Sequence, residues 1–349
     1  MLRLLLASLH LVILPFWAPV LGAQEVSARA GELQVGGRLQ VQYTRSSVQD
    51  AVDDIRIRRA WLELGAEVSP AWSGALLFDV AGGNAQIVDA FVRLELGVAA
   101  LMAGRKKIPF DPFFLASSAD LPVVERDGRI GGLDSCPGVG RICSYGQLTQ
   151  GLGFAGRDQG VWVEGGTGAV AWAASLTNGT GSGTRDDNDS KTLTARSTVE
   201  VTPGLVVGGS LALRDAPGAD GDGERATGWE VDLEVGDWAA GPHLVVALAG
   251  GENWRAPRDD GVVPDFLAAQ GLLTLHRPVD LGPVTGVEPL LRLSLADPRR
   301  GISEDVGVLV TPGITAYLSR RNMVGVNLDV HDGPDGTEYS WKIQSFLFF

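Results

Sequence analysis

A two-residue alternation of apolar and polar side chains recurs along almost the whole chain, and it constrains the fold more than any other feature. In "VGVNLDVH", Val324, Val326, Leu328 and Val330 stand opposite Asn327, Asp329 and His331. In "WEVDLEVG", Trp229, Val231, Leu233 and Val235 stand opposite Glu230, Asp232 and Glu234. "LQVGGRLQVQYT" sets Leu33, Val35, Leu39, Val41 and Tyr43 against Gln34, Arg38, Gln40, Gln42 and Thr44. Successive side chains of a strand point to opposite faces, so such runs read as strands with one apolar and one polar face. The 47 glycines, many of them between short apolar runs, supply the turns that many strands need.

The runs predict about sixteen strands, near 33–44, 55–68, 72–80, 86–96, 100–107, 152–164, 169–178, 192–201, 205–214, 226–236, 242–252, 265–275, 287–297, 303–318, 322–331 and 338–349. Their connections alternate in length. Those after strands two, four, six, eight and fourteen are tight ("SPA", "GVA", "GGTG", "TPG", "SRR"), and most of the others are longer and polar. A short connection after strand three and a long one after strand twelve, "HRPVDLGPVTG", break the pattern. An even strand number, two-faced strands, and short turns at one end with long loops at the other are the signature of an all-β, transmembrane antiparallel β-barrel. Closure is required because an open sheet edge in lipid leaves backbone groups unpaired. A soluble sandwich of this size has no reason to alternate its turn lengths. The chain ends in "FLFF", an amphipathic strand closed by the aromatic Phe349, which resembles an outer-membrane assembly signal.

The first residues read as a signal peptide, 1–23: Arg3, an apolar run from Leu4 to Trp17, and a small-residue cleavage site at Leu21-Gly22-Ala23. The barrel domain is then 24–349, exported to a Gram-negative-type outer membrane. A formal net charge of -13 argues against a nucleic-acid partner, which needs a basic surface. Cys136 and Cys143 lie close together in an exported chain, so a disulfide is expected. No histidine is near them, so no metal site is expected there. Nothing calls for a cofactor.

Several stretches resemble the phosphate-selective porin O/P family. They are "IRIRRAWLELGAEVSPAWSGALLFDVAGGN", "VDAFVRLELG", "AGRKKIPFDPFFLASSADLPVVER" and the terminal strand. The resemblance is continuous from about residue 33 to 130 and collinear beyond. It implies a sixteen-stranded, usually trimeric outer-membrane channel whose third long loop folds into the pore as a constriction. Its best-known members pass phosphate or polyphosphate through an arginine- and lysine-lined pore. The third long loop here is residues 108–151. A loop this long in a compact domain is usually functional, and its apolar start, "IPFDPFFL", favours packing inward. The family's paired arginines match Arg58 and Arg59, and its acidic position matches Asp89.

Those arginines pose a problem of phase. Leu62 and Leu64 put Arg59 on the inner face with Glu63 and Glu67, which leaves Arg56 and Arg58 facing lipid. Either a bulge at Arg58-Arg59 turns both inward, or the strand has already left the membrane there. Alternation adds Arg38 and Arg93 to the lumen, with Lys106 and Lys107 at the start of the loop; only one of these lysines faces inward if the strand is regular. Two roles are open for this set: ion pairing with Glu63, Asp79, Asp89 and Glu95, or holding an anion by charge-assisted forks. The function expected is passive diffusion of small ions and polar solutes, and a preference for anions or phosphate through a basic constriction is left open. Five acids in the loop (Asp111, Asp120, Glu125, Asp127, Asp134) and the acidic outer loops argue against strict phosphate selectivity. The alternatives are a plugged structural or adhesin-like barrel and a barrel enzyme. The enzyme lacks support: His10, His243, His276 and His331 sit beside no nucleophile motif. Expected partners are the permeant ions, outer-membrane lipid and lipopolysaccharide, and two further copies of the chain in a homotrimer.

Overall fold

The computed structural model describes residues 32–349 apart from 52, 137, 182–185, 187, 218–222, 259 and 320. The expected signal peptide lies outside the described residues. The strands run in chain order: β1 (Glu32–Ser46), β2 (Asp54–Ser69), β3 (Trp72–Asp79), β4 (Gln86–Glu95), β5 (Ala99–Lys107), β6 (Arg157–Thr167), β7 (Val170–Thr177), β8 (Thr192–Thr202) and β9 (Leu205–Pro217). They continue as β10 (Gly223–Val235), β11 (Pro242–Glu252), β12 (Asp265–Leu275), β13 (Arg277–Leu281), β14 (Val284–Asp297), β15 (Gly307–Tyr317), β16 (Met323–Gly333) and β17 (Gly336–Phe348). All pair antiparallel in a single sheet, which closes through β1 and β17. Because β12 and β13 both pair with β14, they are two segments of one stave, and the wall has sixteen. The long connection expected after strand twelve is therefore mostly strand, turning tightly at Gly282 (φ +63°). Apart from that stave the expected strands match closely. The sixth begins at Arg157 rather than 152 because residues up to Gly156 belong to the inward loop.

The two faces sort as alternation demands. On β14, Arg292 and Ser294 are buried inside while Leu291, Leu293 and Leu295 are exposed outside. On β17, Ser340, Lys342 and Gln344 are buried, and Trp341 and Ile343 are exposed. A buried polar face with an exposed apolar one inverts the pattern of a soluble protein and fits a wall between lipid and a polar interior.

The connection from β5 to β6 fills much of that interior. It carries α1 (Pro112–Leu115), capped at its N-terminus by Asp111, and α2 (Tyr145–Gly151), capped by Ser144. Phe110, Phe113, Tyr145, Leu148, Leu152 and Phe154 pack on inner-face residues of β9 to β14, many of them alanines: Ala212, Ala226, Ala247, Ala249 and Ala268. Small wall residues leave room for the loop's large ones. Gly228 is the extreme case, since a Cβ there would lie 2.6 Å from the Phe154 ring. The Cys136–Cys143 disulfide is formed, in the second half of the loop.

A polar ladder ties the loop to the wall between β14 and β17. Arg292 donates to the carbonyls of Glu125 (2.8 Å) and Arg126 (2.9 Å), and its other Nη reaches Asp329 (2.8 Å). Lys342 bonds both Asp329 and the Arg129 carbonyl. Asn327 accepts from the Val124 amide at 2.6 Å. These groups are almost wholly buried, and each finds a partner, as buried charges must.

Candidate functional site

β2 resolves the phase problem by a bulge. Its register against β1 pairs Arg59 with Gln40 and Ile57 with Val41, so Arg58 has no partner. The extra residue flips the strand above it. Ile55 and Ile57 then face outward, 75% and 51% exposed. Arg56, Arg58 and Arg59 all reach inner groups: Gln42 at 3.2 Å, Glu125 at 2.6 and 3.1 Å, and Gln40 at 2.8 Å. The bulge is what lets three arginines in four residues share one side.

The seven basic and acidic positions singled out by sequence separate into two kinds. Arg93 and Lys106 are ion-paired wall: Arg93 bridges Glu95 and Glu164, and Lys106 meets Glu164 at 2.6 Å. Arg58 is held by Glu125, which the loop brings to it. Burial alone would raise the Glu125 carboxyl, but the charge and fork of Arg58, with Arg59 behind, hold it well below the usual carboxylate range. Asp89 takes a two-pronged bond from Arg157 at 2.7 and 3.0 Å. The remaining three, Arg38, Arg59 and Lys107, are cations that among the described residues bond only to neutral groups. Arg38 meets Ser118 Oγ at 3.0 Å, Arg59 meets Gln40, and Lys107 donates to the carbonyls of Leu115 and Ala116 at 2.9 and 3.1 Å. Both lysines thus serve the interior. Lys106 lies on the inner row with Met102, and Lys107, beyond the last β4–β5 pair, turns to the loop.

Two members of this group were not singled out by sequence. Arg126, on the loop, bonds the Ala116 carbonyl at 2.8 Å, and its Nε is buried without a partner among the described residues. Burial, then the charges of Arg59 and Arg157, lower its guanidinium to about 10. Arg157 opens β6. Strand alternation could have found neither, because one is on a loop and the other sits at a strand end. The "E-R" ending of the loop motif was the available signal for Arg126.

Arg38, Arg59, Lys107, Arg126 and Arg157 therefore form one cluster, whose charges bear on one another. Wall and loop supply it jointly. Among the described residues, no carboxylate lies within 4.0 Å of Arg38, Arg59, Lys107 or Arg126. Cavities lie on either side. One of about 510 Å³, toward the long-loop end, is lined by Arg56, Arg58, Asp79 and Glu125. The other, of about 450 Å³ toward the short-turn end, is lined by Arg38, Trp61, Lys107, Asp120 and Arg157.

The fold recurs in known porins. The chain is similar to the trimer form of OmpT, an outer-membrane protein of Vibrio cholerae, with a TM-score of 0.61 at 11% identity, covering 92% of this chain and 100% of that one. It is similar to an anion-selective porin from Comamonas acidovorans, with a TM-score of 0.61 at 14% identity over 91% of this chain and 99% of that one. Salmonella typhi OmpF, solved in complex with daunomycin, gives a TM-score of 0.57 at 14% identity over 92% and 98%. No curated protein sequence matches. A sequence model of the phosphate-selective porin O and P family matches residues 33–228, more than half of the chain. The protein is an outer-membrane diffusion channel, and it belongs to the phosphate-selective porin O and P family.

Proposed function

We propose that the channel prefers anions, and that the cluster of Arg38, Arg59, Lys107, Arg126 and Arg157 sets the preference. The observation that carries this reading is the missing carboxylate. Among the described residues, four cations at the junction of wall and loop bond only to neutral acceptors, so no carboxylate occupies their donors. Rings of Arg and Lys are the usual device of anion pores. Guanidiniums present forked donors that match phosphate and carboxylate oxygens. The paired residues Arg58, Arg93 and Lys106 are scaffold in this reading, and Asp89 orients Arg157. Permeants are small anions, phosphate among them. The exposed apolar outer face meets outer-membrane lipid and lipopolysaccharide. A homotrimer is proposed on the family resemblance and on the similarity to OmpT, whose trimer form is known.

The test is a titration of chloride current through single channels in a planar bilayer with inorganic phosphate. Block that weakens in Arg126→Gln and Arg59→Gln supports phosphate residence at the cluster. Phosphate block that is unchanged in both variants would place the anion site elsewhere.

A further inference from the structure

Five cations crowded together need something to hold them, and in most proteins carboxylates do it. Arg157 has Asp89, but for the other four, aromatic rings stand in that place, chiefly Trp61 and Phe114, with Phe348 5.8 Å from Arg38 at the edge. On the wall, the Arg38 guanidinium carbon lies 3.9 Å from the centre of the Trp61 ring, with those of Arg59 and Arg157 each at 5.9 Å. On the loop, Phe114 of α1 has Arg126 at 4.9 Å, Arg157 at 5.8 Å and the Lys107 ammonium at 5.9 Å. Arg157 is within reach of both rings, and every cation of the cluster has at least one. A ring face attracts a cation through its quadrupole, yet it carries no net charge and takes no N–H proton from the fork. A carboxylate in the same position would cancel the charge and occupy the donors.

Both rings are fixed from behind. The Trp61 indole N–H donates to Asp79 at 2.9 Å, and the same carboxylate accepts from the backbone amides of Ala60 and Ala81 at 3.1 and 3.0 Å. The hydrogen bonds of Asp79 thus go to the ring and to two backbone amides. Phe114 is set by the Asp111 cap, which accepts from the amides of Phe113 and Phe114 at 2.8 and 3.2 Å.

We infer that Trp61 and Phe114 are positioning residues for permeation: they hold the cation cluster in place without neutralising it. The inference rests on the anion-preferring reading. It adds that selectivity depends on the two ring faces as well as on the charges.

The experiment reads the anion-to-cation permeability ratio from reversal potentials in a potassium chloride gradient. It compares the wild type, Trp61→Leu, Trp61→Phe and Phe114→Leu, each first shown to be a folded barrel by its heat-shifted electrophoretic mobility. Leu keeps apolar bulk and removes the ring face; Phe keeps the face and removes the bond to Asp79. The expected result is an anion-selective wild type, a fall of about two- to five-fold in the ratio for each Leu variant, and recovery in Trp61→Phe. Should Trp61→Leu fail to fold, Phe114→Leu on the loop decides the matter. A wild type without anion preference overturns the functional reading itself. An anion-selective wild type with an unchanged ratio in the Leu variants overturns only the role of the rings, as does an equal loss in Trp61→Phe.

Discussion

At the scale of single residues, the site is built by leaving charge unpaired. Arg58 and Arg126 lie on opposite sides of this division, one closed onto Glu125 and the other bonded to a carbonyl. Arg126→Lys keeps the charge and removes the fork. It should retain most of the chloride preference while weakening phosphate block, a split visible by comparing reversal potential with block in the same preparation. Asp111 makes a pH prediction. Complete burial raises its carboxyl to about 6, against an ordinary value of 3.8. A carboxyl raised in the folded state opposes the folded loop above that value, and the opposition is relieved as pH falls through about 6. The loop should therefore be held more firmly at pH 5 than at pH 8, as read by protease cleavage between residues 108 and 151. Asp111→Asn keeps the acceptor for the two amides and should abolish the difference. None of this pairing was legible in the sequence. It depends on residues more than sixty positions apart, such as Arg58 on the wall with Glu125 on the loop, and Asp89 with Arg157 between two wall strands.

At the scale of elements, the bulge in β2 and the tethered loop decide what lines the pore. Deleting Arg58 removes the unpartnered residue and restores strict alternation. Ile55 and Ile57 keep their outward face and Arg56 its inward one, because Arg59 and Ile57 already pair with adjacent residues of β1. The ladder therefore survives the deletion, and what is lost is the fork to Glu125. The deletion variant and Arg58→Gln should form barrels with similar transitions in heat-shift electrophoresis, and both should loosen the loop to protease; a much lower transition in the deletion variant would contradict the bulge. The loop has its own test. Asp329 lies between Arg292 and Lys342, all three almost fully buried. Asp329→Asn leaves two buried cations without their counter-charge, a loss of about 3–5 kcal/mol for a broken buried pair. The barrel should still form, because its ladder is untouched, but the loop should become sensitive to protease and the current noisier. Strand positions were readable because alternation is a local signal. The bulge was readable as one of two options, since three arginines among isoleucines cannot all be placed by strict alternation. The tether was not, because Arg292, Asn327, Asp329 and Lys342 look in sequence like any other lumen-facing polar residues.

At the scale of the whole molecule, an interior occupied on one side by a packed loop leaves the cation cluster between that loop and the wall from β1 to β6, with a cavity at each end. Closure is completed by the last residue: Phe349 and Gly37 exchange backbone hydrogen bonds at 2.9 and 3.1 Å. Fold class and strand count follow from alternation and turn length; the inward loop was implied by the family resemblance and by the loop's apolar start. The net charge of -13 points the opposite way from the site it encloses. Bulk charge describes the outer loops and the wall, and salt screens it beyond a Debye length of about 8 Å. The few side chains at the narrow junction act at closer range. The central claim is that these side chains, and not the acidic exterior, set selectivity. The measurement that tests it most directly is the reversal potential of the purified wild-type channel in a planar bilayer under a potassium chloride gradient at physiological ionic strength. An anion-selective potential is the predicted result. A cation-selective one would contradict the account, because it would mean that the acidic mouths outweigh the unpaired arginines.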